Sequence, residues 1–483
     1  MSKRLADVGI SPYRTRRTSV GNADPAFRFL QIRHSGASSR RALQSLVLTQ
    51  IKIRKKGADT MRHGLLEIGK DILIVVLALA VLVLAILALP EKTLTSTPWL
   101  AGILKPFAGV LGMSEASLTY TAPQTAPAVT GAARPTAISV RNLAGRQSVQ
   151  YDFAVLDSRF ETLGAVLGQA LDSASEPQAA DKTQICQALQ GVSAAFRYPA
   201  ALSPKTVAAW LNVEGPDTEP GQWYILSAGD ETVTLYVAGE SCCAFRTAVS
   251  AQTLADLLES AAPDGSFFAF EGGTKYENVD AFSLISGTAP VLPAAVWTNP
   301  CEARFRISMA SGLGINPYGD AAYTDSDGNA WYTEANCTLC ITPQGRATLR
   351  VISADSRFEA LSDSPESRIE TARALLTQIA AGTAGDARLY LTEYSQSGET
   401  AVCRFDYFLS GVPVAAEAGA AAEVRFKRAS VTEASITLRD YSLTEEASRL
   451  LPAPQAAAIV SDGVELALIY TETEETVRAN WKS

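Results

Sequence analysis

The chain has 483 residues, 47% of them hydrophobic and 19% charged, with a formal net charge of −8. That apolar share excludes wholesale disorder. The mild acidity argues against a nucleic-acid binder, and seven cysteines are too few for a disulfide-dense mini-scaffold.

The charge divides unevenly along the chain. Residues 1–70 carry 15 Lys and Arg against 4 Asp and Glu, a net of +11. The other 413 residues carry 27 against 46, a net of −19. Residues 1–60 are rich in arginine (Arg14, Arg16, Arg17, Arg40, Arg41) and show no sustained apolar period. They read poorly as a domain, and translation is expected to start at Met61. A basic tail touching anionic lipid or nucleic acid is the alternative.

Ile72–Leu89 reads ILIVVLALAVLVLAILAL, without a charged or polar residue, Gly or Pro. As a helix it would rise about 27 Å, close to the thickness of a bilayer's hydrocarbon core. A buried core helix would show a polar stripe. A cleavable signal would be shorter and would end in a small-residue site. The segment 71–90 is therefore expected to be an uncleaved transmembrane helix. Arg54, Lys55, Lys56, Arg62 and Lys70 precede it. The positive-inside rule then puts the basic segment 1–70 in the cytoplasm and the rest outside, as a single-pass membrane protein.

Within 91–137, Trp99, Leu100, Ile103, Leu104, Phe107 and Leu111 recur at helical spacing, and Ser114–Ala137 is rich in Thr, Ala and Pro. A short surface helix and an extended linker are expected. The remainder reads as α+β in three units, 138–277, 278–363 and 364–483. Antiparallel sheets are expected, with helices packed on one face.

In the first unit, Phe160, Leu163, Leu167 and Leu171 form a helical stripe. Ser203-Pro204 starts a short helix. Trp223–Ser227 and Thr232–Val237 alternate around a turn as a hairpin, Cys242–Thr247 follows as a strand, and Leu254, Leu257 and Leu258 mark another helix. Ser266–Phe270 reads as a short strand. In the second unit, Phe305, Ile307 and Met309 alternate as in a strand. Trp331–Thr333, Thr338–Ile341 and Thr348–Ile352 are strand-like runs between polar turns. In the third, Ile369, Ala372, Leu376 and Ile379 make one helix face. Strands follow through Cys403–Leu409, Val424–Phe426 and Ile436–Leu438, then a short helix over Pro454–Val460 and a strand over Val464–Tyr470.

Both histidines, His34 and His63, precede the apolar run. The region beyond it therefore holds no Ser-His-Asp triad, no Cys-His pair and no His-ligated zinc. Gly312-Leu313-Gly314 continues with Pro317 where a dinucleotide fingerprint needs its third Gly. Asp320, Asp325 and Asp327 share one loop. Gly328 falls two residues early for a calcium-binding EF-hand loop and no Glu occupies the twelfth position. A polar turn with Gly328 in the left-handed region is expected instead. The loop is dense in Gly, Asp, Asn and Tyr, as binding loops are. Asn316, Pro317, Tyr318, Asp320, Asp325 and Asp327 are thus the candidate partner or ligand residues. No catalytic residue, cofactor or metal ligand is assigned.

All seven cysteines follow the apolar run, and an odd count leaves at least one unpaired thiol. Cys337 and Cys340 form a lone C-x-x-C on an expected strand, where they would face opposite sides and simply fill space.

Several runs together resemble a known family. They are Asn316-Pro317-Tyr318 with the following YTDSDGNAWYTE, FDYFLSGVPV (Phe405–Val414), LLPAPQAAAIV (Leu450–Val460) and the closing LALIYTETEETVRANW. The outer part is similar to the YycH family, and its last 120 residues also resemble YycI. The terminal unit looks PepSY-like or like a β-lactamase inhibitor. The resemblance implies a membrane-anchored accessory protein that regulates a two-component sensor histidine kinase of cell-wall homeostasis by protein contacts. Its partners would be that kinase and a sister YycH/YycI-type protein, and it would not be an enzyme. A surface module binding wall polymer or another extracellular ligand is the alternative.

Overall fold

The computed structural model describes residues 133–482, apart from 320, 381–382, 416–418 and 474–475. The expected membrane helix Ile72–Leu89 and most of the expected linker lie outside the described residues. Among those residues, no helix is long and apolar enough to cross a membrane. The fold is mixed α+β, with mostly antiparallel sheets and few helices. The last residues of the expected linker already belong to it. Ala133 and Thr136 are buried, and the Tyr198 hydroxyl donates to the Ala133 carbonyl at 2.8 Å.

The first sheet grows from a hairpin, β1 (Ala137–Asn142) and β2 (Gly145–Val149). Helix α1 (Phe153–Asp172) follows, started by Asp152, whose carboxylate accepts from the amides of Ala154 and Val155 at 2.9 and 3.1 Å. After a short β3 (Gln178–Ala179), α2 (Lys182–Gln190) opens with a reciprocal capping box between Asp181 and Gln184. Then come β4 (Ser193–Leu202) and α3 (Pro204–Trp210), which has Ser203 as cap and Pro204 in its first turn. Three strands complete the sheet, β5 (Gly221–Ala228), β6 (Thr232–Ala238) and β7 (Cys242–Ser250), and α4 (Ala251–Leu258) closes the run. The strand order is β2-β1-β4-β5-β6-β7-β3.

Period-two alternation decides what covers each face. Phe196, Tyr224 and Leu226 face α1, α3 and α4, where Phe160, Leu163, Val207 and Leu254 are buried. Ala195, Trp223 and Ile225 face the other way, onto Ile185 and Leu189 of α2 and onto Phe268. Helices therefore flank both faces of this sheet, which corrects the expected one-sided packing. The strands are apolar on both sides, so neither face can be left to water.

A small pair, β8 (Phe267–Phe268) and β9 (Leu284–Ile285), leads to β10 (Pro293–Thr298) and α5 (Ala303–Gly312). The strand expected at Phe305, Ile307 and Met309 is this helix. Three alternating apolar residues fit either period. Here Phe305 and Met309 share a helix face, and only Met309 and Ala310 of α5 are fully buried.

The second sheet begins with a meander, β11 (Ala322–Thr324), β12 (Ala330–Thr333), β13 (Cys337–Ile341) and β14 (Arg346–Val351). Helix α6 (Pro365–Ile379), capped by Ser364, precedes six strands. These are β15 (Arg388–Ser397), β16 (Thr400–Leu409), β17 (Val412–Ala415), β18 (Ala422–Lys427), β19 (Ser430–Thr437) and β20 (Asp440–Ala447). A short α7 (Ala453–Ala457), β21 (Leu468–Glu472) and β22 (Val477–Trp481) end the chain. The turn between β16 and β17 is two residues, Ser410 and Gly411, both at positive φ (50° and 82°). That geometry matches the twist of a tight hairpin. The strand expected from Val464 begins only at Leu468. Val464 itself makes one isolated parallel bridge to Val279.

The boundary expected at 363 is crossed by this sheet. Its order runs β11-β12-β13-β14-β19-β18-β16-β17-β21-β22-β10-β20, with β15 on β16. Leu349 of β14 pairs with Ala434 of β19, and Ala295 of β10 pairs with both Leu443 and Val477. Segment 278–363 is thus divided between the two ends of a sheet whose middle strands all come from 364–483. Hydrophobic periodicity reports a strand, not its neighbour.

Candidate functional site

The described residues of the loop singled out in the sequence lie at the surface and are tied down by local hydrogen bonds. After α5, the Asn316 side-chain oxygen accepts from the Tyr318 amide at 3.0 Å, and the Asn316 amide donates to Glu334 at 3.0 Å. Pro317 is buried, while Tyr318 is 79% exposed. Asp320 lies outside the described residues. Arg357 anchors the base of the loop. It pairs with Asp355 at 2.7 Å and Glu334 at 3.1 Å and donates to the Gly314 carbonyl at 2.9 Å.

The polar turn forms as expected. Gly328 sits at φ +83°, and its amide donates to the Asp325 carbonyl at 3.1 Å. The Asp325 carboxylate is filled by four donors. They are the Trp331 indole N–H at 2.8 Å, the amides of Asn329 and Asp327 at 2.9 and 3.0 Å, and the Asn329 side chain at 3.0 Å. The Trp331 and Asn329 hydrogen bonds hold this carboxyl below its ordinary range. Asp327 is exposed and joins the turn through its backbone amide. Tyr323, 56% exposed, stacks on Trp331 across the β11–β12 pair with ring centroids 6.3 Å apart.

All seven cysteines are free thiols. Cys337 is buried and Cys340 half-buried on β13, as strand alternation requires of residues three apart. Burial pushes the Cys337 thiol up to about 11, against the opposing pull of Arg357. A thioredoxin-type thiol needs the opposite shift.

The cleft between the two sheets holds none of the expected site residues, although parts of the run Phe405–Val414 and of the closing run from Leu466 line it. On β16 the odd positions Cys403, Phe405, Tyr407 and Leu409 point into the cores. The even positions Arg404, Asp406 and Phe408 line a cleft of about 530 Å³ whose opposite wall carries Arg197 of β4 and Gln222 of β5. Arg197 forms an ion pair across the cleft with Glu465, just before β21. Arg404 is held by Glu393 at 2.7 Å and Glu423 at 2.9 Å. Asp406 accepts from the Thr392 hydroxyl and the Ala421 amide, each at 2.9 Å. A signal for these residues did exist: charges recur at period two opposite an apolar face. The same pattern marks any solvated strand face, so it did not identify a site.

Tyr151 stands at the end of this cleft with φ +63°, a backbone conformation rare for a bulky side chain. It also lines a second compartment of about 290 Å³, together with Leu284 and Leu466, which border both. This compartment is walled by Phe267, Tyr276 and Trp481 and by Pro290, Pro452 and Pro454. Burial raises the Tyr151 phenol to about 12, with Arg197 opposing and Glu465 adding to the shift. At neutral pH the phenol stays protonated, as a hydrogen-bond donor.

The arrangement can bind by ion pairing, hydrogen bonding and apolar contact. Among the described residues, no three His, Cys, Asp or Glu side chains converge as metal ligands. No protein-family model matches the chain, and neither the curated proteins nor the solved structures give a match.

Proposed function

We propose that this chain is a single-pass membrane protein whose C-terminal region lies outside the cell and regulates a sensor histidine kinase through protein contacts. The observation that carries this reading is the charge asymmetry around one apolar segment, +11 before it and −19 over the rest of the chain. It gives the chain a defined orientation and a large outer region. The resemblance to the YycH and YycI families supplies the partner, and a sister protein of that type would share the complex.

Other features support the reading. Arg141 and Arg146 converge on Glu271, and Arg134 and Arg388 converge on Asp157. The Arg388–Asp157 pair ties the second sheet to the first, and the others brace the first unit internally. In the expected membrane helix, Ala78 and Ala85 are seven residues apart and share a face on which another helix can approach closely.

The test is affinity purification of the full chain from native membranes in mild detergent, followed by autokinase assays in proteoliposomes. A histidine kinase should co-purify, and adding the chain should change its autophosphorylation rate. Recovery of no kinase, or an unchanged rate, would overturn the proposal.

Exposed Tyr318 and the Tyr323–Trp331 stack favour a second reading, a surface that binds wall polymer, since aromatic faces pack well on apolar ring surfaces. Sedimentation of the chain with isolated wall, and its loss in Tyr318→Ala, would distinguish that reading.

A further inference from the structure

We infer that the two-compartment cleft is a binding site for a short zwitterionic peptide. Its charged ends reach the polar compartment, while its middle residue, backbone as well as apolar side chain, sits in the aromatic compartment.

Size is the first support. Compartments of about 530 and 290 Å³ fall in the range of small-ligand sites. Charge is the second. Among the described residues, the cations lining the polar compartment are Arg197, Arg404 and Lys482, and the anions are Glu393, Asp406 and Glu465. The balance favours neither a strong anion nor a strong cation, but it offers each end of a zwitterion an opposite charge. The Arg197 and Glu465 side chains are 25% and 33% exposed. They can turn to a ligand without leaving a fully buried charge unpaired.

The aromatic compartment supplies an anchor. Phe267 and Tyr276 meet edge to face at 5.2 Å, and Trp481 is fixed by its indole N–H, which donates to the Leu451 carbonyl at 2.8 Å. Rigid rings flanked by three prolines lose little freedom when a side chain inserts.

The wall of that compartment favours a peptide over a fatty amphiphile. Among the described residues, no backbone group of Gly287–Val291 has a hydrogen-bond partner, and Gly287–Ala289 and Val291 are exposed. An extended chain alongside them would find open donors and acceptors, as in other modes of peptide recognition. An alkyl chain would use none of them. Tyr151, at the partition, offers a phenolic donor where the peptide would pass from one compartment to the other.

The inference concerns this chain alone and does not rest on the kinase reading. The test uses the full chain in nanodiscs, titrated calorimetrically with Ala-Phe-Ala bearing free ends. Saturable binding tighter than about 1 mM is expected. Blocking the peptide's amino end by acetylation, or its carboxyl end by amidation, should each weaken binding about tenfold. Arg197→Gln and Glu465→Gln should do the same. Tyr151→Phe keeps the ring and the fold and should weaken binding a few-fold. Absence of binding at about 10 mM, equal binding of the doubly blocked peptide, or wild-type affinity in both charge variants would overturn the inference. So would saturable binding of lauric acid with none of the peptide.

Discussion

Arg388 meets Asp157 in a two-point fork, with its terminal nitrogens donating to the two carboxylate oxygens at 2.9 and 2.8 Å. The pair joins β15 of the second sheet to α1 of the first. Arg134 adds a third bond to the same carboxylate at 2.9 Å, and the Arg388 guanidinium lies 4.1 Å from the Phe153 ring centre. Forked arginine–carboxylate pairs are both stronger and more directional than single contacts.

Asp157→Ala should therefore destabilise the described region by about 2 kcal/mol, the scale of a lost charge-assisted hydrogen bond with its partner left half-buried. Urea unfolding followed by tryptophan fluorescence should also broaden toward two steps as the sheets uncouple. A shift under about 0.5 kcal/mol with one sharp transition would contradict the role assigned to this pair.

Asp325 makes the tip of the β11–β12 hairpin pH-sensitive. Its folded carboxyl titrates below the unfolded one. The stabilisation is thus present above the unfolded pKa of about 3.9 and is lost as pH falls through the folded value. Hydrogen exchange at the Asp327 and Asn329 amides, which donate to this carboxylate, should stay slow at neutral pH relative to intrinsic rates and lose protection under acid. Asp325→Ala should remove that pH dependence and leave the tip equally unprotected throughout.

Cysteine reactivity should divide by burial. Burial raises Cys337 to about 11 and Cys403 to about 12, and both residues are 0% exposed. Alkylation of the native protein at pH 8 should leave these two unmodified while half-buried Cys186 and Cys340 react. All seven should label in denaturant. Early labelling of Cys403 would show that the β16 core opens readily.

Segment 278–363 should not fold by itself. β14 loses β19 and β10 loses β20 and β22 when the chain is cut at 363. An excised 278–363 should give collapsed amide dispersion in NMR spectra. In the intact chain, Leu349→Ala, at 0% exposure, should cost about 2–5 kcal/mol, as core truncations do. A well-dispersed spectrum from the excised piece would restore it as a domain.

Much of the local structure was legible in the residues. The α1 stripe, the Ser203-Pro204 start, the β5–β6 hairpin, the C-x-x-C strand and the Gly328 turn each follow from a short-range cause: a cap, a period or a φ preference. The Phe305–Met309 run was misread because three alternating residues do not separate a period of 2 from one of 3.6. The candidate loop was legible as a loop, yet Asp325 turned out to be committed to its own turn. The cleft was hidden because Arg197, Arg404 and Glu465 are far apart in sequence, and each alone looks like a surface charge.

By itself the sequence determined the charge division, the lone apolar segment, the absence of histidine beyond it and the α+β character. Composition and periodicity act over a few turns or strands and need no knowledge of neighbours. Only the tertiary structure decided that residues on either side of 363 share one sheet, that helices cover both faces of the first sheet, and that Tyr151 divides a cleft between them. Those features depend on which strands pair and which faces meet. Pairing is set by burial summed over the whole core rather than by any segment's own pattern.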